Sequence, residues 1–431
     1  MHKNILIITY HHYNQGYNSP VQRLKRIREN LNYQVFVHDI HELLSPDSIL
    51  EIIKNYYHQH SIYYLIIIGS IEEIPSYIRD IVDDEWKTAL NHQYTKACSD
   101  ISYGIYVNNK NIRTLNNSVI KIIVGRITPG DNIYLHNQIT AELTTTEKIH
   151  NVTIQIDKIE YYENLYDSIE YDFWFKNVVG IASSEGDGIG IENMSDKIYM
   201  RKELEKLVNS GFNCHEIYEG NTTEQHNAKD IGTLHVDQDG VTKAQLINKI
   251  NSGLGMLFYT GHAYENRFYT SELNVTDLIH LNKNNNLFFG NVVGCSAGSH
   301  DESYLSLAEA FQILPNAGSI AFTASTIMQA WEEPMYMQRE IIDIIINQLQ
   351  ESNKLTLGEI YKQGMLNSTF LESYNHDFWF YTFFGDPSTR CLMTKNFSFS
   401  ILDVIKYLHF NEKKNNYLET ISNIANFIIY L

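Results

Sequence analysis

Two apolar runs in this 431-residue sequence end in side chains suited to nucleophilic chemistry. Gly255 to Thr260 leads into Gly261-His262-Ala263, and Leu287 to Val293 leads into Gly294-Cys295-Ser296-Ala297-Gly298. In an open parallel sheet the residues just past the carboxyl ends of strands line the ligand crevice. One crossover, holding the helix-like Leu273 to Leu281, joins the two runs and so sets His262 beside Cys295. A thiol must become a thiolate to attack a carbonyl carbon, and a neighbouring imidazole can take that proton and return it to a leaving amine. Small residues at Gly261, Ala263 and Gly294 admit a substrate backbone and let the amides of Ala263 and Cys295 face a developing oxyanion. This is the pattern of a cysteine peptidase. Taken singly, each residue has a plainer reading, a structural hydrogen-bonding histidine and a small buried hydrophobe. Proximity of the pair is what argues for chemistry.

The elements that must position them alternate. Strand-like runs at Ile5 to Thr9, Tyr33 to His38, Tyr64 to Ile68, Val119 to Val124, Val178 to Ala182, Met256 to Tyr259, Phe289 to Val293 and Gly318 to Thr323 are short and rich in Ile, Val, Phe and Tyr. Between them Val21 to Leu31, Pro46 to His58, Asn137 to His150, Lys197 to Ser210, Thr242 to Ile250 and Met335 to Gln350 carry apolar residues at helical spacing. Alternation of this kind predicts a three-layer α/β architecture with a largely parallel sheet. The boundary between two successive α/β units falls near Gly130 to Leu135. It divides the chain into an N-terminal subdomain over 1–134, a catalytic subdomain over 135–395 and a helical tail over 396–431. No Gly/Ser/Pro-rich linker separates the first two, so they are expected to pack as one body. Thr222 to Gly240 reads as an inserted loop, and Asp157 to Phe175 as a lid, a docking loop or plain surface.

Composition narrows the partners. The 51 acidic residues against 33 basic ones give a net charge of −18, which repels nucleic-acid phosphates and anionic lipid. Basic peptides remain compatible. Cys98, Cys214, Cys295 and Cys391 form no CxxC pair and are too few for a disulfide framework. Met1 runs directly into Ile5-Leu6-Ile7-Ile8 without a basic region or cleavage site, which reads as cytoplasmic. No run reaches the roughly 18 apolar residues that a membrane span needs.

The motifs "YTGHA" at 259–263 and "GCSAG" at 294–298 resemble those of the caspase-fold cysteine peptidases, in particular the gingipain-type branch. The resemblance extends in order through "YLIIIGSIEEIP" at 64–75, "SDISYG" at 99–104, "VGRI" at 124–127, "GIASSEG" at 180–186, "ASTIMQAW" at 324–331 and "FFGDPSTR" at 383–390, covering about Lys3 to Leu392. It implies a three-layer caspase-like fold of two adjacent subdomains with largely parallel sheets. It further implies an endopeptidase that cuts after basic residues, Arg preferred and Lys open, through a thioacyl-enzyme. The substrate is a protein or peptide with a basic residue before the scissile bond. No cofactor is implied for the chemistry, although relatives bind structural calcium; those relatives are secreted.

The same resemblance makes His262 the general acid/base, Cys295 the nucleophile and Glu185 the acid that orients the histidine; the plainer reading of Glu185 is a solvated loop residue. Asp196 matches the base of the pocket for the residue before the scissile bond, where a guanidinium binds a carboxylate through two charge-assisted hydrogen bonds. An N-cap of the following helix is its alternative, shared with Ser195. Trp331 matches a wall of that pocket, able to stack on a guanidinium plane, against a core tryptophan. Two departures stand out: the family has Gly after the histidine and Ala before the cysteine, where this chain has Ala263 and Gly294. An added Cβ at Ala263 threatens access to the oxyanion amide, and a catalytically silent caspase-like module that binds a partner peptide is the alternative function. The tail carries two apolar stripes, on Ile401 to Phe410 and on Leu418 to Tyr430, that must bury a face on the catalytic subdomain, a regulatory partner or a second copy of the chain.

Overall fold

In a computed structural model of the chain the described residues are 3–80, 96–108, 119–130, 132–135, 138–168, 173–219, 243–301, 305–368 and 377–395. The expected inserted loop at 222–240 and the tail at 396–431 lie outside them. Ten strands form one sheet. They are β1 (Asn4–Tyr10), β2 (Gln34–Ile40), β3 (Ile62–Ile68), β4 (Ile123–Ile127), β5 (Asn177–Ala182), β6 (Asn213–Tyr218), β7 (Met256–Thr260), β8 (Phe288–Val293), β9 (Ser319–Ser325) and β10 (Tyr381–Phe384). The helices are α1 (Pro20–Asn30), α2 (Pro46–His60), α3 (Thr145–Asp167), α4 (Asp196–Asn209), α5 (Lys243–Asn251), α6 (Leu307–Ile313), α7 (Glu333–Gln348) and α8 (Leu357–Ser368), with a short further helix at Ile101–Tyr106.

The central strands read as unbroken apolar runs because both of their faces are covered, and Ile5 to Ile8 and Tyr64 to Ile68 are all fully buried. Helix starts follow local signals. Ser19 and Ser45 cap α1 and α2 ahead of a proline at the first helical position. At α3 the helix expected over Asn137 to His150 begins only at Thr145. Gln138–Glu142 is extended and pairs with Asn132–Leu135, and Thr144 closes a capping box with Glu147. The helix then continues through Asp167, so the first part of the expected lid or surface stretch is packed structure, with Ile159 and Tyr162 in the core.

Strand order is β6-β5-β7-β8-β9-β10-β4-β3-β1-β2. Every neighbouring pair is parallel except β9 and β10. The strands from β10 to β2 therefore run opposite to those from β6 to β9. Two expected sheets are in fact one, joined at a narrow seam where Phe384 pairs with Arg126 and the Gly385 amide donates to the Arg126 carbonyl at 2.7 Å.

Buried charges cross that seam. Arg28 on α1 is fully buried and donates to Asp386, beyond β10, and to Glu163 on α3. Arg126 donates to both oxygens of Asp100, at 2.6 and 2.8 Å, and to the carbonyls of Gly69 and Ile74. The hydroxyl of Ser76 donates to Asp100 at 2.6 Å and lies 3.0 Å from His300 Nε2, and His300 Nδ1 lies 3.1 Å from the Gly298 carbonyl. Burial alone would raise the Asp100 carboxyl pKa; Arg126 outweighs it and holds the group down at about 2.

Removing one partner of such a pair strands the other in a site that cannot solvate it. Asp100→Asn is expected to cost about 3–5 kcal/mol in urea unfolding at neutral pH. Wild type should lose this contribution as pH falls from the ordinary aspartate range through about 2, a loss the variant would not show. Equal stability of the two proteins at neutral pH would remove the pair from the account of the fold.

Candidate active site

Strands β5, β7 and β8 lie side by side, with Thr260 in register with Ala182 on one side and Val293 on the other. The alignment persists one residue further, since Ser183 N donates to the Thr260 carbonyl and Gly261 N to the Val293 carbonyl, each at 3.0 Å. Three strand ends thus deliver Ser183 to Gly186, Gly261 to Ala263 and Gly294 to Ser296 to one place.

His262 Nε2 lies 2.9 Å from Glu185 Oε2, and the two side chains are 45% and 53% exposed. Glu185 is therefore the histidine's partner and not merely a solvated loop residue. The backbone beneath the imidazole is pinned: the His262 carbonyl accepts from the Tyr259 hydroxyl at 2.5 Å and from the Tyr269 amide at 3.0 Å.

Asp196 opens α4, but its side chain does not cap that helix. Its carboxylate is fully buried; Oδ2 accepts from Ser183 Oγ at 2.6 Å and Oδ1 from Trp331 Nε1 at 2.9 Å. Burial pushes its pKa up to about 6, against the lowering effect of those two donors and of His262, with the Glu185 charge adding to the rise. The indole of Trp331 also meets the imidazole of His262 edge to face, with centroids 5.1 Å apart at 88°. Trp331 is thus not a plain core residue, because it links the buried carboxylate to the histidine. Gly186 permits this approach: it sits at φ +83°, and a Cβ there would come within 2.5 Å of Trp331 Nε1 and 2.7 Å of Asp196 Oδ1. Ser183, which both donates to Asp196 and accepts from the Glu185 amide at 3.1 Å, is a site residue the sequence reading passes over although it lies inside "GIASSEG".

Cys295 follows β8 and precedes a sharp turn. Ser296 is left-handed at φ +54° and donates its amide to the Ile327 carbonyl at 2.9 Å, turning the chain immediately after the thiol. Cys295 is partly exposed, whereas Cys98, Cys214 and Cys391 are buried. Burial drives all three of those thiols upward in pKa. Ala263 has no left-handed backbone, and its methyl is buried in the core beside Tyr259 and Phe268. A Cβ on Gly294 would lie 2.9 Å from the Ala263 Cβ. Ala263 and Gly294 are thus complementary in packing.

Among the described residues no group of three or more His, Cys, Asp or Glu side chains is placed to hold a metal ion. No helix there is long and apolar enough to cross a membrane.

The sheet with its strand-end His, Cys and carboxylates defines a caspase-like fold carrying a thiol site, and comparison with known proteins agrees. The sequence model of peptidase family C25 matches residues 2–392, and the chain belongs to that family. Gingipain R2 of Porphyromonas gingivalis is 28% identical over 319 residues, 69% of this chain and 39% of the relative. Gingipain R1 of the same organism is also 28% identical, over 69% of this chain and 29% of its own length. This chain therefore spans well under half of the curated relatives it matches. The crystal structure of the Arg-specific cysteine proteinase gingipain R shares the fold with a TM-score of 0.68 at 21% identity, over 90% of this chain and 78% of that one.

Exposure and thiol pKa together predict selective reactivity. Brief treatment of the folded protein with iodoacetamide should alkylate Cys295 alone, read by peptide mass spectrometry, and all four thiols should react only after unfolding. Comparable labelling of a second cysteine in the folded state would contradict the burial described here.

Proposed function

We propose that this chain is a cysteine endopeptidase that cleaves after arginine. The observation that carries the reading is the buried carboxylate of Asp196, held by Ser183 and Trp331 and coupled through the indole to His262. Each Asp196 oxygen accepts one hydrogen bond and keeps a lone pair, so a guanidinium can engage both. An ammonium makes a point contact and forgoes that match.

In this mechanism the Cys295 thiol gives its proton to His262, and the thiolate attacks the carbonyl carbon of the residue held in the pocket. Glu185 occupies Nε2, so Nδ1 is the nitrogen that exchanges protons, and the carboxylate stabilises the imidazolium. The amides of Ala263 and Cys295 receive the oxyanion. Collapse breaks the C–N bond; the proton on His262 goes to the leaving amine and a thioester to Cys295 remains. Water, deprotonated by His262, then cleaves the thioester and restores the thiol. Burial of the Ala263 methyl in the core keeps it clear of the substrate path, which favours activity over a silent peptide-binding module. The chemistry needs no metal; a structural calcium would belong to the scaffold. The relatives lend no support to a cytoplasmic location.

Peptides with arginine or its neutral isostere citrulline before the scissile bond test the pocket. Asp196→Asn should cost arginine substrates roughly 2–4 kcal/mol in kcat/KM, a factor of about 30 to 900, and citrulline substrates little. In wild type the arginine-to-citrulline ratio should fall as pH drops through about 6, because protonation removes the charge from Asp196. A ratio independent of pH and of the Asn substitution would exclude Asp196 from the pocket. Cleavage that survives Cys295→Ala would exclude the thiol mechanism, and no cleavage by wild type would leave the binding module.

A further inference from the structure

We propose that the hairpin directly after His262 is a subsite for the first two residues beyond the scissile bond, and that Arg267 there selects a carboxylate-bearing side chain. This rests on the reading of His262 and Cys295 as the catalytic pair. Ala263–Tyr264 pairs antiparallel with Arg267–Phe268. Alternation along so short a ladder turns Ala263 and Phe268 into the core and Tyr264 and Arg267 outward. Tyr264 and Tyr269 are 46% and 49% exposed, which is unusual for side chains of this size standing together beside a reactive histidine. The Arg267 guanidinium lies 4.7 Å from the Tyr264 ring centroid and 6.0 Å from that of Tyr269. Among the described residues no carboxylate is within ion-pair distance of it.

Position relative to the imidazole assigns the side of the substrate. Trp331 meets His262 at 5.1 Å and also holds the Asp196 carboxylate, so it marks the side of the residue before the scissile bond. Tyr269 meets the same imidazole edge-on at 6.2 Å and marks the hairpin. His262 must protonate the leaving amine, so the departing peptide passes the imidazole toward Tyr269 and reaches Arg267 next. The hairpin is rigid enough to select. Tyr269 N is bonded to the His262 carbonyl, Phe268 N to that of Leu273, Leu307 N to that of Glu265 and Val275 N to that of Asn266, at 2.8–3.0 Å. Two tyrosine faces orient the guanidinium without neutralising it, leaving its donor edge for a carboxylate. On a chain of net charge −18 this is a local exception that favours Asp or Glu and disfavours Lys in the leaving peptide.

The test uses C-terminally amidated peptides with arginine before the scissile bond and Glu, Ala or Lys placed in turn at each of the two following positions. An arginyl coumarin amide that has no peptide leaving group is assayed beside them. Wild type should favour Glu over Lys at one of the two positions by about three- to tenfold in kcat/KM, as expected for a half-exposed ion pair on a rigid support. Arg267→Glu should invert that ratio, and because the ratio is taken within each enzyme a general loss of activity cancels. Wild type that hydrolyses the coumarin amide yet shows the same Glu-to-Lys ratio as Arg267→Glu overturns the subsite alone. Failure of wild type to hydrolyse either class of substrate overturns the peptidase reading and the subsite with it.

Discussion

The buried ion pair of Arg126 with Asp100 anchors the network that ties the N-terminal strands to the loop that carries the thiol. Neither group has solvent, so each depends on protein partners, and Arg126 uses the Asp100 carboxylate together with the carbonyls of Gly69 and Ile74. From Asp100 the contacts pass through Ser76 to His300 and from His300 to the carbonyl of Gly298, three residues after Cys295. The Gly298 amide is bonded in turn to the Ser325 carbonyl at the end of β9. A second tie runs close by, from Ser299 to the Thr326 carbonyl and from Thr326 to the Cys98 carbonyl. The N-terminal strands supply none of the proposed reacting groups. Their contribution is a charged anchor that adds to the hold of β9 on the turn after β8.

At the other side of the thiol, the groups proposed for recognition and for proton transfer share a structure. Asp196 is buried, raised in pKa and held by Trp331, whose ring lies against His262. In the proposed mechanism a cation beside Asp196 would stabilise the ionised carboxylate and fix the indole, so the group proposed to bind the substrate would also bear on the group proposed to move the proton. Ser183 tightens the same unit, since its hydroxyl donates to Asp196 and accepts from the amide of Glu185, the partner of His262. The Asp196 carboxylate and the Glu185 backbone are thus linked through one hydroxyl, while the two carboxylates differ in burial, Asp196 being fully buried and Glu185 about half exposed.

Much of this was legible from strand ends. The runs before Ala182, Thr260 and Val293 are apolar because they are covered on both faces, and such strands announce where they stop. Strand β6 escapes the same reading because Asn213-Cys214-His215-Glu216 is polar at the sheet edge, where the buried Glu216 is held by Arg201 and the Tyr218 hydroxyl. Strand β10 escapes because four aromatic-rich residues carry no period, and its place depends on partners distant in sequence. The start of α3 was available in Thr144 and Glu147, but apolar spacing favoured an earlier helix. Spacing alone could not reveal that Asp196 abandons the capping role its position offers, or that Trp331 reaches it. Those depend on the close approach that Gly186 permits.

The exchange of small residues around the reactive pair shows why departures from a family pattern have to be read together. Alanine after the histidine, taken alone, places a methyl near the reacting carbonyl; glycine before the cysteine, taken alone, removes one from the packed end of β8. In the folded chain the two sites face each other, and a Cβ on Gly294 would stand 2.9 Å from the one on Ala263. Cβ atoms cannot occupy both positions at that distance, so a methyl can be carried by one site or by the other. Here it sits on Ala263 and is turned into the core that also holds the stacked rings of Tyr259 and Phe268. In this chain one methyl, on Ala263, fills the contact that the two sites share.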